Sequence, residues 1–236
     1  MRFERLLSIG TNIAILAVLA YVAVRPGGLV SSAVGVAWQR YTQRRAISRD
    51  WDRLLAASSE FPGRSTASTV IVEFSDYQCP FCRRAHQGLG ELMKANPQVQ
   101  LRLVHFPLRI HPFADMAAKS SLCAERQGRF AEMDDRLFEA APSWKEPVDW
   151  VTEARAAGVP DLGAFRSCLS DSQTVARLRL DAQLGREVDI RGTPTFVSRR
   201  DVLRGQPTDS TFAALVRGAG RWGIGSGPPH KLRLAP

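Results

Sequence analysis

The fold of this chain is decided by residues 69–82, which have the sequence TVIVEFSDYQCPFC. The β-branched and apolar run from Thr69 to Phe74 is typical of a buried strand. A helix is expected next, over about 80–95, and it should end before Asn96-Pro97. Residues 99–106 alternate in polarity, which predicts a second strand. Strand, helix and strand at this spacing predict an α/β fold built on a βαβ unit with a right-handed crossover.

Two cysteines, Cys79 and Cys82, lie at the junction of the first strand and the helix. A thiol in the first turn of a helix faces unsatisfied N–H groups and the positive end of the helix dipole, and both stabilise a thiolate. Cys79 is therefore the candidate nucleophile, and Cys82, which we expect to be more buried, is the candidate resolving thiol. Pro80 suits the first helical position because it has no N–H group to lose there.

Half of a zinc site is the alternative interpretation of such a cysteine pair. Structural zinc takes four ligands, commonly from a second closely spaced pair. The other two cysteines, Cys123 and Cys168, lie far apart in the sequence. His86, one turn beyond Cys82, is expected to be a solvated helix residue. We therefore expect no metal and no cofactor.

The remainder of the chain predicts further elements around this unit. Residues 112–187 are expected to be mostly helical, which indicates a helical subdomain inserted into the α/β fold. Residues 195–198 and 202–204 predict a tight hairpin, and Asp209 would cap a last helix to about Arg217. Residues 221–236 lack a sustained apolar period and are expected to be a flexible tail.

The first 25 residues predict a membrane anchor or a signal. Residues 6–24 carry no charge and are long enough to span a bilayer as a transmembrane helix. A cleaved signal peptide remains the alternative, because only residues 13–24 are strongly apolar. Arginines flank both ends of the run, so the positive-inside rule does not determine its orientation.

Residues 26–66 predict a basic amphipathic helix beside the membrane, over about 33–57, followed by a linker. Its aromatic and aliphatic residues recur at spacings of three and four, and its arginines take other positions. Three roles stay open: the helix would lie on lipid headgroups, dock on the following domain, or act as a spacer.

The charge distribution argues against nucleic acid as a partner. The chain of 236 residues has a formal net charge of +9, and residues 67–220 carry 20 basic and 19 acidic side chains. The excess lies in residues 1–66 and 221–236. A nucleic-acid binder needs basic side chains gathered on the face that meets phosphates. The basic ends fit an anionic membrane surface better.

A third motif, Gly192-Thr193-Pro194-Thr195, precedes the third strand. With it, the sequence resembles the DsbA-like branch of the thioredoxin-fold thiol:disulfide oxidoreductases over about residues 70–217. Residues 72–82 are similar to the family's strand and active site, and residues 192–196 to its cis-proline loop. Phe106-Pro107-Leu108 and His111-Pro112 are similar to the entry to its helical domain. The resemblance implies a thioredoxin fold over 67–220, with the helical insertion at about 112–187.

The resemblance also implies roles for individual residues. Glu73 matches the family's buried acid, which would accept or relay the proton of Cys82; a solvent-facing Glu is the alternative. Pro194 would be cis and would place the Thr193 backbone where a substrate peptide pairs with it; a Pro that merely starts a strand is the alternative. Pro80 and Phe81 complete the expected substrate-binding surface.

Cys123 and Cys168 would form a structural disulfide, as some DsbA-like proteins carry one in the helical domain. Two free, buried thiols are the alternative. A disulfide would indicate a domain outside the cytosol, with Arg2 and Arg5 inside.

The function that follows is dithiol–disulfide exchange on extracytoplasmic protein or peptide thiols, with disulfide formation as the expected direction. A membrane redox partner would recycle Cys79 and Cys82. Phe81 stands where the best-known family member has a His, which weakens the argument for strong oxidising power. Three alternatives stay open. The first is a reductase or isomerase of the same fold, the second is a reductase with its domain in the cytosol, and the third is a non-catalytic peptide-binding chaperone.

Overall fold

The computed structural model describes Leu16, Ala20, Tyr21 and residues 29–62 and 67–220. The chain divides into two compact units, Met1–Gln43 and Arg44–Pro236. The sheet, the helical insertion and the candidate site all belong to the second unit.

Apart from one short strand, the described helices and strands follow the order expected from the sequence. The helices are α1 (Leu29–Ala57), α2 (Pro80–Ala95), α3 (Ala114–Glu125), α4 (Phe130–Ala140), α5 (Trp150–Ala156), α6 (Leu162–Leu169), α7 (Ser172–Glu187) and α8 (Asp209–Gly220), with a 3₁₀ turn at Ala141–Ser143. The strands are β1 (Ser59–Glu60), β2 (Thr69–Ser75), β3 (Val99–His105), β4 (Thr195–Val197) and β5 (Val202–Arg204).

In the described residues these strands form one mixed sheet in the order β1-β3-β2-β4-β5. β2 and β3 are parallel and are connected by α2, so the expected βαβ unit is confirmed. β4 runs antiparallel to β2 and forms the predicted hairpin with β5. β1, which the sequence did not predict, pairs antiparallel with β3.

Alternation along β2 decides what lies on each face of the sheet. Val72 and Phe74 belong to the core cluster that α1 and α7 cover. Ile71 belongs to the opposite cluster, with residues of α2 and α8. Because successive side chains of a strand point to opposite faces, Glu73 lies on the same face as Ile71, under α2.

The helical insertion has its own core, formed by α3, α4, α5 and α6. Met133, Leu137 and Phe165 are buried there, and Tyr77, Cys79 and Cys82 belong to the same cluster. The two cysteines therefore lie where the core of the insertion meets the sheet.

The C-terminal half of α1 is part of the core, which differs from the domain boundary expected at residue 67. Ile47 and Leu54 are fully buried, and Trp51 is nearly so, in the cluster that includes Val72. The compact unit therefore begins at Arg44. Of the expected linker, residues 63–66 lie outside the described residues.

The described part of the chain contains no helix with the length and apolar character needed to cross a membrane. The anchor or signal expected at residues 1–25 lies outside the described residues, apart from Leu16, Ala20 and Tyr21. The expected tail, 221–236, lies outside them as well.

Candidate active site

Cys79 occupies the N-cap position of α2, directly after the loop that follows β2. Pro80 takes the first turn, where no N–H group is needed. Both Cys79 and Cys82 are free thiols and both are buried, Cys79 with 3% exposure and Cys82 with none. The Cys79 Sγ atom lies 3.4 Å from the Thr193 carbonyl oxygen and donates a hydrogen bond to it when Cys79 is in the thiol form.

The pKa values of the two thiols are shifted in opposite directions. A hydrogen bond from the Cys82 side chain outweighs burial, together with smaller contributions from the Cys82 N–H group, the Thr193 side chain and the Phe81 N–H group. Together they lower the pKa of Cys79 to about 5. Burial and the neighbouring Cys79 raise the pKa of Cys82. At neutral pH Cys79 is therefore a thiolate and Cys82 a thiol, the arrangement that nucleophile and resolving group require.

The loop before β4 lies against Cys79. Its Thr193–Pro194 peptide bond is cis. The Thr195 hydroxyl donates to the Gly192 carbonyl at 2.7 Å, and the Gly205 N–H donates to the Pro194 carbonyl at 2.8 Å. These two hydrogen bonds hold the loop in place, and its Thr193 carbonyl oxygen lies 3.4 Å from the Cys79 sulfur.

An apolar side chain is exposed in the first turn of α2, two residues after Cys79. Phe81 is 56% exposed, and the Arg84 guanidinium lies 4.5 Å from the centre of its ring. Pro80 is also exposed. These two residues, expected to contact a substrate, are accessible to one.

Glu73 is buried beneath the thiols, with 2% exposure, so a solvent-facing position is excluded. Its Oε1 atom has no hydrogen-bond partner among the described residues. Burial raises the pKa of the Glu73 carboxyl to about 8. A buried carboxyl of this acidity can exchange a proton near neutral pH, as the expected role requires.

Asp76 anchors the active-site loop, a role that sequence reasoning missed. Its carboxylate accepts hydrogen bonds from the N–H groups of Gln78 and Leu108, both at 2.8 Å, and lies 2.7 Å from His111 Nδ1. The Gln78 side chain in turn accepts from the Phe113 N–H at 2.8 Å. The sequence does contain a signal for this role. Asp76 is a polar residue directly after a buried strand, two positions before Gln78, whose N–H group it binds.

His86 is not solvated, contrary to the expectation. Its side chain is 23% exposed and lies between Asp134 and Asp135 of α4. The ring stacks on Phe138 at 4.6 Å between centroids. The expectation failed because both aspartates come from the helical insertion, which the local sequence around His86 does not reveal.

A disulfide joins Cys123 of α3 to Cys168 of α6, with an S–S distance of 2.00 Å. Both residues are buried in the core of the helical insertion. The cross-link therefore joins two helices of that subdomain, while Cys79 and Cys82 remain free.

Comparison with known proteins agrees with this architecture. Residues 57–217 match the family described as Thioredoxin. Among curated proteins, the chain is 34% identical over 135 residues to a protein of Salinispora tropica named Na(+)/H(+) antiporter NhaA 3. That match covers 57% of this chain but 20% of the antiporter. The chain thus spans about a fifth of the length of these relatives, and the likeness is confined to the thioredoxin-like part.

Two solved structures illustrate the shared fold. A thioredoxin-like oxidoreductase from Silicibacter pomeroyi superposes with a TM-score of 0.62 at 24% identity, covering 72% of this chain and 98% of the other. The thiol-disulfide exchange protein α-DsbA2 from Wolbachia pipientis superposes with a TM-score of 0.63 at 19% identity, covering 75% and 96%. At these identities the likeness establishes the fold.

Proposed function

The chain belongs to the thioredoxin family, and on that premise we propose that it is a protein thiol:disulfide oxidoreductase that forms disulfides through Cys79 and Cys82. One observation carries the proposal. The Cys79 sulfur, with its pKa lowered to about 5, lies against the cis-proline loop, while Cys82 stays protonated behind it.

The reaction transfers two electrons from a substrate dithiol to the Cys79–Cys82 disulfide. A substrate thiolate attacks the Cys79 sulfur, the Cys79–Cys82 bond breaks, and Cys82 leaves as a thiolate that takes a proton from Glu73. The second substrate thiolate then attacks the substrate sulfur of the mixed disulfide. The substrate disulfide forms, and Cys79 leaves as a thiolate.

The direction follows from which form of the pair is stabilised. The hydrogen bonds that lower the Cys79 pKa exist in the reduced form, so they favour reduction of the pair and oxidation of the substrate. Phe81 supplies no cationic ring, but the Cys82 side chain and the backbone N–H groups provide donors in its place.

We place the domain on the extracytoplasmic, periplasmic side of the cell membrane, tethered by the N-terminal segment. The Cys123–Cys168 disulfide supports this, because structural disulfides persist outside the reducing cytosol. Protein or peptide thiols would be the substrates, meeting the surface of Pro80, Phe81, Thr193 and Pro194. A membrane redox partner would accept the electrons from the reduced pair. The antiporter activity named for the longer relatives is not part of this proposal.

The equilibrium reduction potential of the Cys79–Cys82 pair tests the proposal. The full chain would be equilibrated with glutathione buffers, with a Cys123→Ser/Cys168→Ser variant as control for the second disulfide. A value near about −120 mV supports a disulfide-forming oxidant, and a value near about −270 mV indicates a reductase or isomerase instead. Failure of Cys79 to exchange at all would leave the non-catalytic peptide-binding module.

A further inference from the structure

Asp134, His86 and Asp135 form a row of ionisable side chains that leads from the interior, where Glu73 is also buried, to the surface. Asp134 is fully buried, His86 is partly exposed, and the side chain of Asp135 is 75% exposed. His86 lies one helical turn beyond Cys82, on the same face of α2. Among the charges that act on Glu73, those of Asp134 and His86 are the largest.

The two nitrogens of the His86 ring face different carboxylates. Nδ1 lies 3.3 Å from Asp134 Oδ2, inside the protein, and Nε2 lies 3.0 Å from Asp135 Oδ1, at the surface. Asp134 Oδ2 is buried and has no well-aligned hydrogen bond among the described residues, while its Oδ1 accepts a hydrogen bond from the Tyr77 hydroxyl at 2.9 Å. An imidazole with one nitrogen inward and one outward is arranged to pass a proton between them.

We propose that His86, through Asp134, is the proton relay that connects the buried Glu73 with solvent during thiol–disulfide exchange. The proposal rests on the oxidoreductase function and deepens it. His86 touches neither the substrate nor the reacting sulfurs, so it acts on the reaction by way of Glu73.

A metal ion is the competing interpretation of these residues. One atom from each of His86, Asp134 and Asp135 lies within 4.8 Å of the others, which is close enough for three ligands. However, a metal ligates one nitrogen of an imidazole, and the other nitrogen then needs a separate partner. Here each nitrogen already faces its own carboxylate, Nδ1 that of Asp134 and Nε2 that of Asp135. The arrangement therefore favours proton transfer.

Every proton is accounted for when the Cys79–Cys82 disulfide forms again from a mixed disulfide. Glu73 in its carboxylate form takes the proton of the Cys82 thiol, and the Cys82 thiolate attacks the Cys79 sulfur of a mixed disulfide, releasing the partner's thiolate. The Glu73 proton passes to the Asp134 carboxylate by way of a water molecule, because neither Glu73 Oε1 nor Asp134 Oδ2 has a hydrogen-bond partner among the described residues. It then passes to Nδ1 of neutral His86. Nε2 releases its proton to Asp135 or to water, and exchange with water restores the starting tautomer.

Electrostatics supports this route. Burial lowers the pKa of His86, but contact with Asp134 and the charges of Asp134, Asp135 and Glu73 outweigh it and raise the pKa overall. Burial raises the pKa of Asp134. Both shifts move the two groups towards the acidity of Glu73, and matched acidities make transfer between neighbours easier.

The test is the rate at which the full chain resolves a mixed disulfide between Cys79 and glutathione. Removal of the ring in His86→Ala should slow this step by about 100-fold, the lower end of the range for general acid–base assistance. Added imidazole should restore part of the rate, and the solvent deuterium isotope effect should grow. His86→Gln removes the positive charge that the ring carries when it is protonated, and should therefore also raise the pKa of Glu73, measured by the carboxyl infrared band.

Lys94→Gln, which removes a charge from the exposed end of the same helix, is the matched control and should resolve at the wild-type rate. A wild-type rate in His86→Ala, or a slow rate that imidazole does not change, would overturn the relay. So would a loss of wild-type activity on treatment with a metal chelator. If wild-type Cys79 does not exchange, the oxidoreductase proposal fails and the relay with it.

Discussion

At the residue scale, the acidity of Cys79 depends first on its neighbour Cys82. The hydrogen bond from the Cys82 side chain is the largest cause that lowers the Cys79 pKa to about 5. Cys82→Ala removes this donor and should move the pH midpoint of Cys79 alkylation upward. Cys82→Ser keeps a donor and should leave the midpoint close to the wild-type value. A wild-type midpoint in Cys82→Ala would show that the Cys82 side chain does not stabilise the thiolate and that the other donors are sufficient.

Glu73 should make the oxidised protein less stable as the pH rises. Burial raises its folded-state pKa from 4.5 to about 8. Between these values the folded state binds a proton that the unfolded state has released, so stability falls as pH increases from about 4.5 to about 8. Glu73→Gln removes this dependence and should be more stable than wild type by a few kcal/mol above pH 8, with a much smaller difference near pH 4.

Urea unfolding across this pH range measures the effect, with Cys79 and Cys82 oxidised so that neither thiol titrates. A difference between Glu73→Gln and wild type that does not grow with pH would mean that Glu73 titrates normally. The same variant should exchange disulfides more slowly, because Gln neither supplies nor accepts the proton of Cys82.

The residues of the site differ in how far the sequence alone identifies them. Cys79 and Cys82 could be assigned because strand, cysteine and helix follow one another in the chain. Glu73 could be assigned because an acid within an apolar strand needs a reason. Asp134 and His86 could not, since their meeting depends on how α4 packs on α2, and no local pattern encodes that packing.

At the element scale, Gly185 allows α7 to approach the sheet. A Cβ atom at this position would overlap the ring of Phe106 and touch Phe74. Gly185→Ala should therefore lower the free energy of unfolding by about 1–3 kcal/mol, the usual cost of overpacking a core. The change should appear as a lower midpoint of urea unfolding.

Gly90→Ala on α2 is the matched control for that substitution. A Cβ atom there would meet nothing within 4 Å, and the position is exposed. Since Gly within a helix is less favourable than Ala by about 0.5–1 kcal/mol, this variant should be more stable than wild type. If Gly185→Ala were stabilising like Gly90→Ala, Phe106 would have to move aside at no cost.

Helix α1 shows why three roles stayed open from the sequence. Its periodicity predicts a helix with an apolar side, but an apolar side does not say what covers it. The structure buries Ile47, Trp51 and Leu54 against the sheet, whereas Trp38 of the same helix is 66% exposed. The docking role therefore applies to the part of the helix that follows Gln43.

At the scale of the whole molecule, the site exists because an inserted subdomain packs over one end of a sheet. β2 brings Glu73, the helix α2 brings the cysteines and His86, and α4 of the insertion brings Asp134. The order of these elements could be predicted from the sequence, because each has its own local pattern. Their packing could not, because it depends on contacts between segments that are distant in the chain.

The Cys123–Cys168 disulfide stabilises this assembly through the unfolded state. The two residues are separated by 45 positions. In the chain-entropy model a loop of this length contributes about 4 kcal/mol, and less where the unfolded chain keeps structure. Cys123→Ala/Cys168→Ala should thus lower the free energy of unfolding by about 2–4 kcal/mol, measured by urea unfolding with Cys79 and Cys82 oxidised.

The same double variant should leave the pKa of Cys79 near 5, because the donors that lower it belong to Cys82, Phe81 and Thr193. The free energy of unfolding and the pKa of Cys79 would then change independently. This is expected if the disulfide stabilises the helical insertion while residues of α2 determine the pKa of Cys79. A shift of the Cys79 midpoint in the double variant would mean that the disulfide also positions the active site. Such coupling has a structural route, because all four cysteines belong to one buried cluster.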